Sequence, residues 1–308
     1  MHHVRHTTDS ASKAPSRAFS ANSIWSQSQR RVRIWQTLLV RRSLGGLFLL
    51  ASGIFFALSI GTFWMERVAF TPEIDTDVTY AIMGDEDIRL QVASLIAGAD
   101  AAELGMSSNN LREFIVSISR IRDGATEMRQ FTADAHAKVI GDRDELVIIT
   151  AAEQVQILRT ERAAVLPSIT LPVERVGTLA IIGSITSWTW LISFGLGAIA
   201  LLLGLIVRPE RGEFAFAFGA GTAATGASLI LFGYLVPAFV LSSTSDDVWV
   251  SALPQLAKYR SGPTFIAALV CLVVGAAAIL LTGGGRQRRQ QSTPLAATRY
   301  REQQRWSS

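Results

Sequence analysis

The chain has 308 residues, 49% of them hydrophobic and 18% charged, with a formal charge of +4 and a single cysteine, Cys271. One cysteine excludes an internal disulfide framework. The apolar residues gather into four charge-free stretches, each long enough for a ~30 Å hydrocarbon core, which excludes an ordinary soluble protein.

In chain order, residues 1–43 form a basic tail with eight Lys/Arg against the single acid Asp9. Its first 29 residues, rich in Ser, Ala, His and Gln, hold too little apolar surface to offset chain entropy and are expected to be disordered. His2, His3 and His6 lack a fourth ligand and read as a solvated cluster before a metal site. The run QRRVRIWQTLLV, residues 29–40, reads as an interfacial lead-in helix with Trp35 at headgroup level. Transmembrane helix 1 is expected over 44–65. It begins after more than forty residues and lacks a small-residue cleavage site before Glu66, so it reads as an uncleaved anchor and not a signal peptide.

Residues 66–176 hold nineteen acidic and eleven basic residues and carry helical periodicity almost throughout. Asp85 is expected to cap a helix that faces Ile88, Val92, Leu95 and Ala99 inward and stops at Gly105. Ser108 or the Asn109–Asn110 pair caps a second, with Leu111, Phe114, Ile115, Ile118 and Ile121 on its buried face and Gly124 at its end. A third spans Ala125–Ile140, facing Met128, Phe131, Ala135 and Val139 inward, and Gly141-Asp142 forms a turn. ELVIIT, 145–150, finds no strand partner and reads as an extended or early-helical lead into the capping box Thr150–Glu153. The helix that follows uses Val155, Leu158 and Val165 and ends before Pro167. The segment as a whole is expected to be a bundle of three to five helices.

Transmembrane helices 2, 3 and 4 are expected over 177–207, 214–241 and 264–282, joined by a turn at 208–213 and a loop at 242–263, with a basic tail over 283–308. The predicted fold class is therefore an all-α membrane protein, with four transmembrane helices and a helical domain between the first and second. Helix 2 exceeds one crossing; Trp188 and Trp190 mark an interface, leaving 177–187 as an extension above the membrane. Its hydroxyls at Ser184, Thr186, Ser187, Thr189 and Ser193 are expected to bond to backbone, a lipid or ligand groove being the alternative. Small residues recur every four positions: Gly53, Ala57 and Gly61 in helix 1; Ala215, Gly219, Ala223 and Ala227 in helix 3; Ala267, Cys271 and Gly275 in helix 4. Such stripes let helices approach closely, within the bundle or between two copies as a homodimer. Pro237, with Gly233 four residues earlier, is expected to kink helix 3.

Arginine clusters flank the first and last helices, with Arg208 and Arg211 between the second and third, so the positive-inside rule puts both termini in the cytoplasm and residues 66–176 outside. The expected location is the plasma (inner) membrane. Basic tails with a pI near 9.6 also allow a nucleic-acid reading, but arginines at helix ends already serve topology and anionic lipid headgroups, leaving membrane lipids as the partner. The chain has no HExxH, GxSxG, P-loop or Cys/His quartet, and no catalytic, metal or cofactor set is assigned. His136 lies two residues from Asp134, on a different helical face, and reads as a partly exposed surface histidine. Asp246–Asp247 beside Trp249 is the other acidic pair near the membrane. With no ionisable residue at bilayer depth, a proton relay or ion-coupled transporter is disfavoured.

The stretch FTADAHAKVIG, the segment Leu166–Pro172 leading into VGTLAII, and Arg208–Arg211 together resemble an uncharacterised actinobacterial family of four-span integral membrane proteins with an outer helical domain. That resemblance implies fold and compartment and no activity. The four-span layout with a large outer loop is also similar to the cell-division permease-like family, which works with an ATPase partner. Members of that family carry a coupling segment between helices 2 and 3, for which Arg208-Pro-Glu-Arg-Gly-Glu213 is too short. Three functions follow as expectations. The first is a non-enzymatic envelope protein whose domain 66–176 binds or scaffolds another envelope component. The second is an accessory or permease-like subunit of a transport complex, and the third an enzyme acting on lipid or cell wall at the outer face, with Asp246 and Asp247 as its candidate residues.

Overall fold

The structure is a computed structural model that describes residues 44–71, 74–207 and 211–282. The expectations for the tails 1–43 and 283–308, and for residues 208–210 of the turn, lie outside the described residues. Four helices are long and apolar enough to cross a membrane: Leu44–Phe70 (α1), Gly177–Ile206 (α8), Gly212–Ser243 (α9) and Ser261–Thr282 (α11). In lipid a backbone must satisfy its own hydrogen bonds, and a helix does so within one segment. The chain is a multi-pass membrane protein.

The ends of α1 and α9 depart from the plain α ladder. Glu66–Phe70 and Leu231–Val240 are π-helical, the second enclosing Pro237. A proline removes one N–H and crowds the preceding turn, and a wider ladder is one way to absorb both.

Between α1 and α8 the chain builds a helical domain from Thr76–Met83 (α2), Glu86–Leu104 (α3), Ser108–Ser119 (α4), Arg122–Glu127 (α5), Arg129–Val139 (α6) and Ala151–Leu158 (α7). Local signals set most of the boundaries. The Asp85 carboxylate accepts from the Asp87 and Ile88 amides, and α3 stops at Gly105, whose φ of 69° a β-carbon would resist. The cap of α4 is Ser107, one residue earlier than expected, accepting from Asn110 N. Thr150 and Glu153 form the reciprocal capping box of α7.

Several expectations are corrected. Helix α2, capped by Asp75, adds an element that the periodicity does not predict. The single helix expected over 125–140 is two, joined at Met128, and Gly124 lies inside α5 instead of ending α4. A β-carbon at Gly124 would stand 2.2 Å from the Ile118 carbonyl oxygen, so glycine is what lets α5 fold back over the end of α4. Val147–Ile149 (β1) does find a partner: it pairs antiparallel with Ile169–Leu171 (β2) in the register Val147↔Leu171, Ile148↔Thr170, Ile149↔Ile169. The fold is thus mostly helical with one two-stranded pair. Helix α7 ends at Leu158, and Val165 falls in a separate 3₁₀ turn, 89% exposed.

The segment 242–263 is not a loop. It folds as a 3₁₀ turn at Val248–Ser251 followed by Ala252–Tyr259 (α10). Trp249, Val250, Leu253 and Leu256 are buried in the same hydrophobic cluster as Ile88, Phe131 and Ile157 from the domain. Met65, Ala69 and Phe70 of α1 and Leu179 of α8 belong to that cluster too. The domain and the neighbouring helix ends therefore share one core, which fixes the domain's position on the bundle.

Candidate functional site

Helix α6 brings His136 to the end of α1, where its imidazole is held by a hydrogen bond to the Ala69 backbone. His136 is 4% exposed, its Nε2 has no partner, and burial holds it down to about 4, so the ring is neutral near pH 7. The expectation of a partly exposed surface histidine is overturned. Its position next to Ala135 and one turn from Thr132, both buried, puts it on the inner side of α6. Asp134 turns away and pairs with Arg143, which also reaches Glu145 at 2.9 Å, so no Asp–His dyad forms.

Asp100 is fully buried on α3, with neither carboxylate oxygen hydrogen-bonded. Burial pushes its carboxyl up to about 6. Sequence reasoning passes over it because the buried face of α3 is Ile88, Val92, Ile96 and Asp100, an i, i+4 series, whereas the expected face runs through Ala99, which is exposed. The signal that could have found it is an acid in phase with three aliphatic residues.

Asp247 has a structural task. Its Oδ1 accepts from Trp249 N at 2.8 Å, and its Oδ2 accepts from Glu174 N at 3.0 Å. It thereby starts the 3₁₀ turn and pins the 242–260 segment to the extended chain that leads into α8. Both Asp247 oxygens are thus engaged by backbone amides. Among the described residues no group of three or more His, Cys, Asp or Glu could hold a metal ion.

Among the membrane helices, the small residues mediate contact within the chain. A β-carbon at Gly53 would stand 2.8 Å from Gly221 Cα, and one at Gly275 would stand 2.6 Å from the Gly219 carbonyl oxygen and the Ala223 amide nitrogen. Gly61 lies against Ser228 and Phe232, and Gly233, four residues before Pro237, against Trp64 and Thr264. Ala57 is buried and Ala215 half-buried, while Ala267 is exposed; the inward face of α11 runs instead through Thr264, Ala268 and Gly275. Hydroxyls and one indole tie helices together: Ser52 donates to the Gly197 carbonyl and Ser59 to the Trp190 carbonyl, each at 2.9 Å, and Trp64 Nε1 donates to Thr264 Oγ1 at 2.9 Å. Thr186 and Thr189 donate to their own helix at Ile182 and Ile185. Beside the Gly53–Gly221 contact a cleft of about 480 Å³ is walled by Phe56 and Phe218, with Ser52, Thr222, Thr225 and Cys271 on its lining.

The domain's surface has a distinctive flank along α4. Leu111, Ile115 and Ile118 are buried as expected, but Phe114 and Ile121 are 38% and 56% exposed. They stand among Arg112, Glu113, Arg120 and Arg122. A shallow cavity of about 300 Å³ runs between α3 and α4, lined by Leu90, Arg112, Glu113, Val116, Ser117 and Arg120. Comparison with protein-family models, with curated proteins and with solved structures finds no match to this chain.

Proposed function

We propose that the protein is a non-enzymatic membrane scaffold of the cell envelope, whose helical domain binds another envelope component. The observation that carries this reading is the α4 flank, where Phe114 and Ile121 stay in solvent although the helix has a full buried face without them. A large aromatic side chain ringed by charge is the composition of a protein contact, since aromatics supply most of the affinity and the polar rim excludes alternatives. The shared core supports the same reading: a domain fused to the membrane-helix ends presents its surface in a fixed orientation. The use of Asp247 in backbone hydrogen bonds and the closed surroundings of His136 and Asp100 support a binding role for the domain.

The charge pattern orients the assembly in this proposal. The basic tails lie in the cytoplasm, and the domain, with nineteen acids against eleven bases over 66–176, lies on the far side of the plasma membrane. The test is photo-crosslinking in cells from probes at positions 114 and 121, with a probe at position 199, on an exposed face in the middle of α8, as control. The expected result is one protein captured from both domain positions and not from 199. Capture of lipid alone from 114 and 121, in protein shown to be folded, would refute it.

A further inference from the structure

A second cavity, of about 460 Å³, opens between α2, the start of α5 and α10, the short helix that leads into α11. Its walls come from three places far apart in the chain: Asp77 and Tyr80 on α2, Arg122 at the start of α5, and Gln255, Lys258 and Tyr259 on α10. Arg122 is neutralised by an ion pair with Asp77. Lys258, by contrast, has no acidic partner among the described residues, and its ammonium is the uncompensated charge of the site. Gln255 donates to Asp85 Oδ2 at 3.3 Å, which leaves its carbonyl oxygen as an acceptor. Tyr80 and Tyr259 are 45% and 39% exposed, so both side chains stay open to a ligand.

The location narrows the ligand. Tyr259 ends α10, and α11 begins two residues later at Ser261 and runs 22 residues into the membrane. The Arg260 guanidinium lies over the Tyr259 ring at 5.4 Å, adding a second cation at the same height. Tyrosine and basic side chains that immediately precede a membrane helix are suited to the level of the headgroups. A cavity there with one free ammonium, a paired guanidinium and two phenol donors matches a singly charged phosphodiester, with its glycerol hydroxyls against the phenols and the amide.

We propose that this cavity is a headgroup site for an anionic phospholipid, with Lys258 as the residue that binds the phosphodiester and Tyr80 and Tyr259 as its flanks. The site borders the α4 flank only at Arg122: its other walls lie on α2 and α10, and it recruits lipid instead of protein. Because it joins α2 to α10, which leads into the last membrane helix, bound lipid would brace the α10–α11 corner.

The experiment uses the full-length protein in nanodiscs of equimolar phosphatidylcholine and phosphatidylglycerol, released into native mass spectrometry to count retained lipids. Wild type is expected to keep phosphatidylglycerol in preference to phosphatidylcholine. Lys258→Gln should lower that preference about fivefold, the effect of one basic residue at an anionic surface, and Lys258→Arg should restore it. Arg162→Gln, at an exposed position in the 3₁₀ turn that holds Val165 and outside the cavity lining, should change nothing. Equal preference in Lys258→Gln and Arg162→Gln would overturn the proposal. So would inorganic phosphate displacing phosphatidylglycerol in detergent, since the site would then serve a free anion. Lys258 is exposed, so its replacement leaves the core intact, and a melting curve on each variant checks this.

Discussion

Two buried ionisable groups with opposite shifts make a sharp prediction about pH. His136 falls from 6.5 to about 4 on burial. Between those values the unfolded chain holds the proton and the folded protein does not, so stability rises with pH across that window. The contribution is fully present above about 6.5 and fully lost below about 4, a change of roughly 3 kcal/mol. Asp100 moves the other way, from 3.8 to about 6. There the folded protein holds the extra proton, so stability falls as pH rises from 3.8 to about 6, by no more than roughly 3 kcal/mol.

The two slopes overlap between about 4 and 6 and largely cancel, so the wild-type domain should show little net dependence there. Substitution separates them. Asp100→Asn should stabilise the protein at pH 7, because it removes a buried charge whose oxygens have no partners. It should also uncover the histidine slope, so that the variant loses stability steeply on acidification. His136→Gln keeps a donor for the Ala69 backbone and should do the reverse, gaining relative stability as pH falls. The measurement is reversible denaturant unfolding of the full-length protein in mild detergent, followed by near-ultraviolet dichroism, at intervals from pH 4 to 8. Taking differences between variants cancels the surface pairs such as Arg175–Asp144. Parallel profiles for wild type, Asp100→Asn and His136→Gln would refute the burial of both groups.

Other substitutions test the packing. Gly53→Val should separate α1 from α9 where Gly53 and Gly221 touch and cost about 1–3 kcal/mol, read as a lower unfolding midpoint in SDS titration; an unchanged midpoint would mean the helices do not meet there. Asp247→Ala removes a turn cap and the Glu174 contact, at a cost of about 1–2 kcal/mol, and should raise amide exchange across 242–260 before any other part of the domain. Trp249→Ala hollows the shared core and should cost about 3–5 kcal/mol; if the membrane helices melt with the domain in the same transition, the core couples the two as described. Gly141→Ala should cost about 1–3 kcal/mol, since Gly141 has φ of 87° and its β-carbon would stand 2.5 Å from Ala180 Cβ; loss of protection at the first turn of α8 is the expected signature.

What is legible in the chain, and what is not, divides by sequence distance. The membrane helices identify themselves, because some twenty apolar residues in a row meet the length of the hydrocarbon core with no help from the rest of the fold. The Asp85 cap and the Thr150–Glu153 box are just as local, each decided within four residues. The β1 strand is not legible in this way, because its partner lies twenty residues on, between Pro167 and Pro172, in a stretch that reads as linker. The 242–263 segment escapes for the same reason on a larger scale. Val248-Trp249-Val250 and the Leu253, Leu256, Ala257 face are apolar enough to demand a core, but the core they join is built from residues 65–179. His136 shows the limit most clearly. Helical phase places Phe131, Ala135 and Val139 inward and leaves the imidazole at the boundary, and only the end of α1 packing over α6 turns that boundary into interior. The candidate sites share this property. Tyr80 and Tyr259 are brought together by the docking of α10 on α2, so no motif near either residue could have signalled the cavity. The α10–α11 corner is assembled in the same way, since the helix that completes the domain core also leads directly into the last membrane-spanning helix.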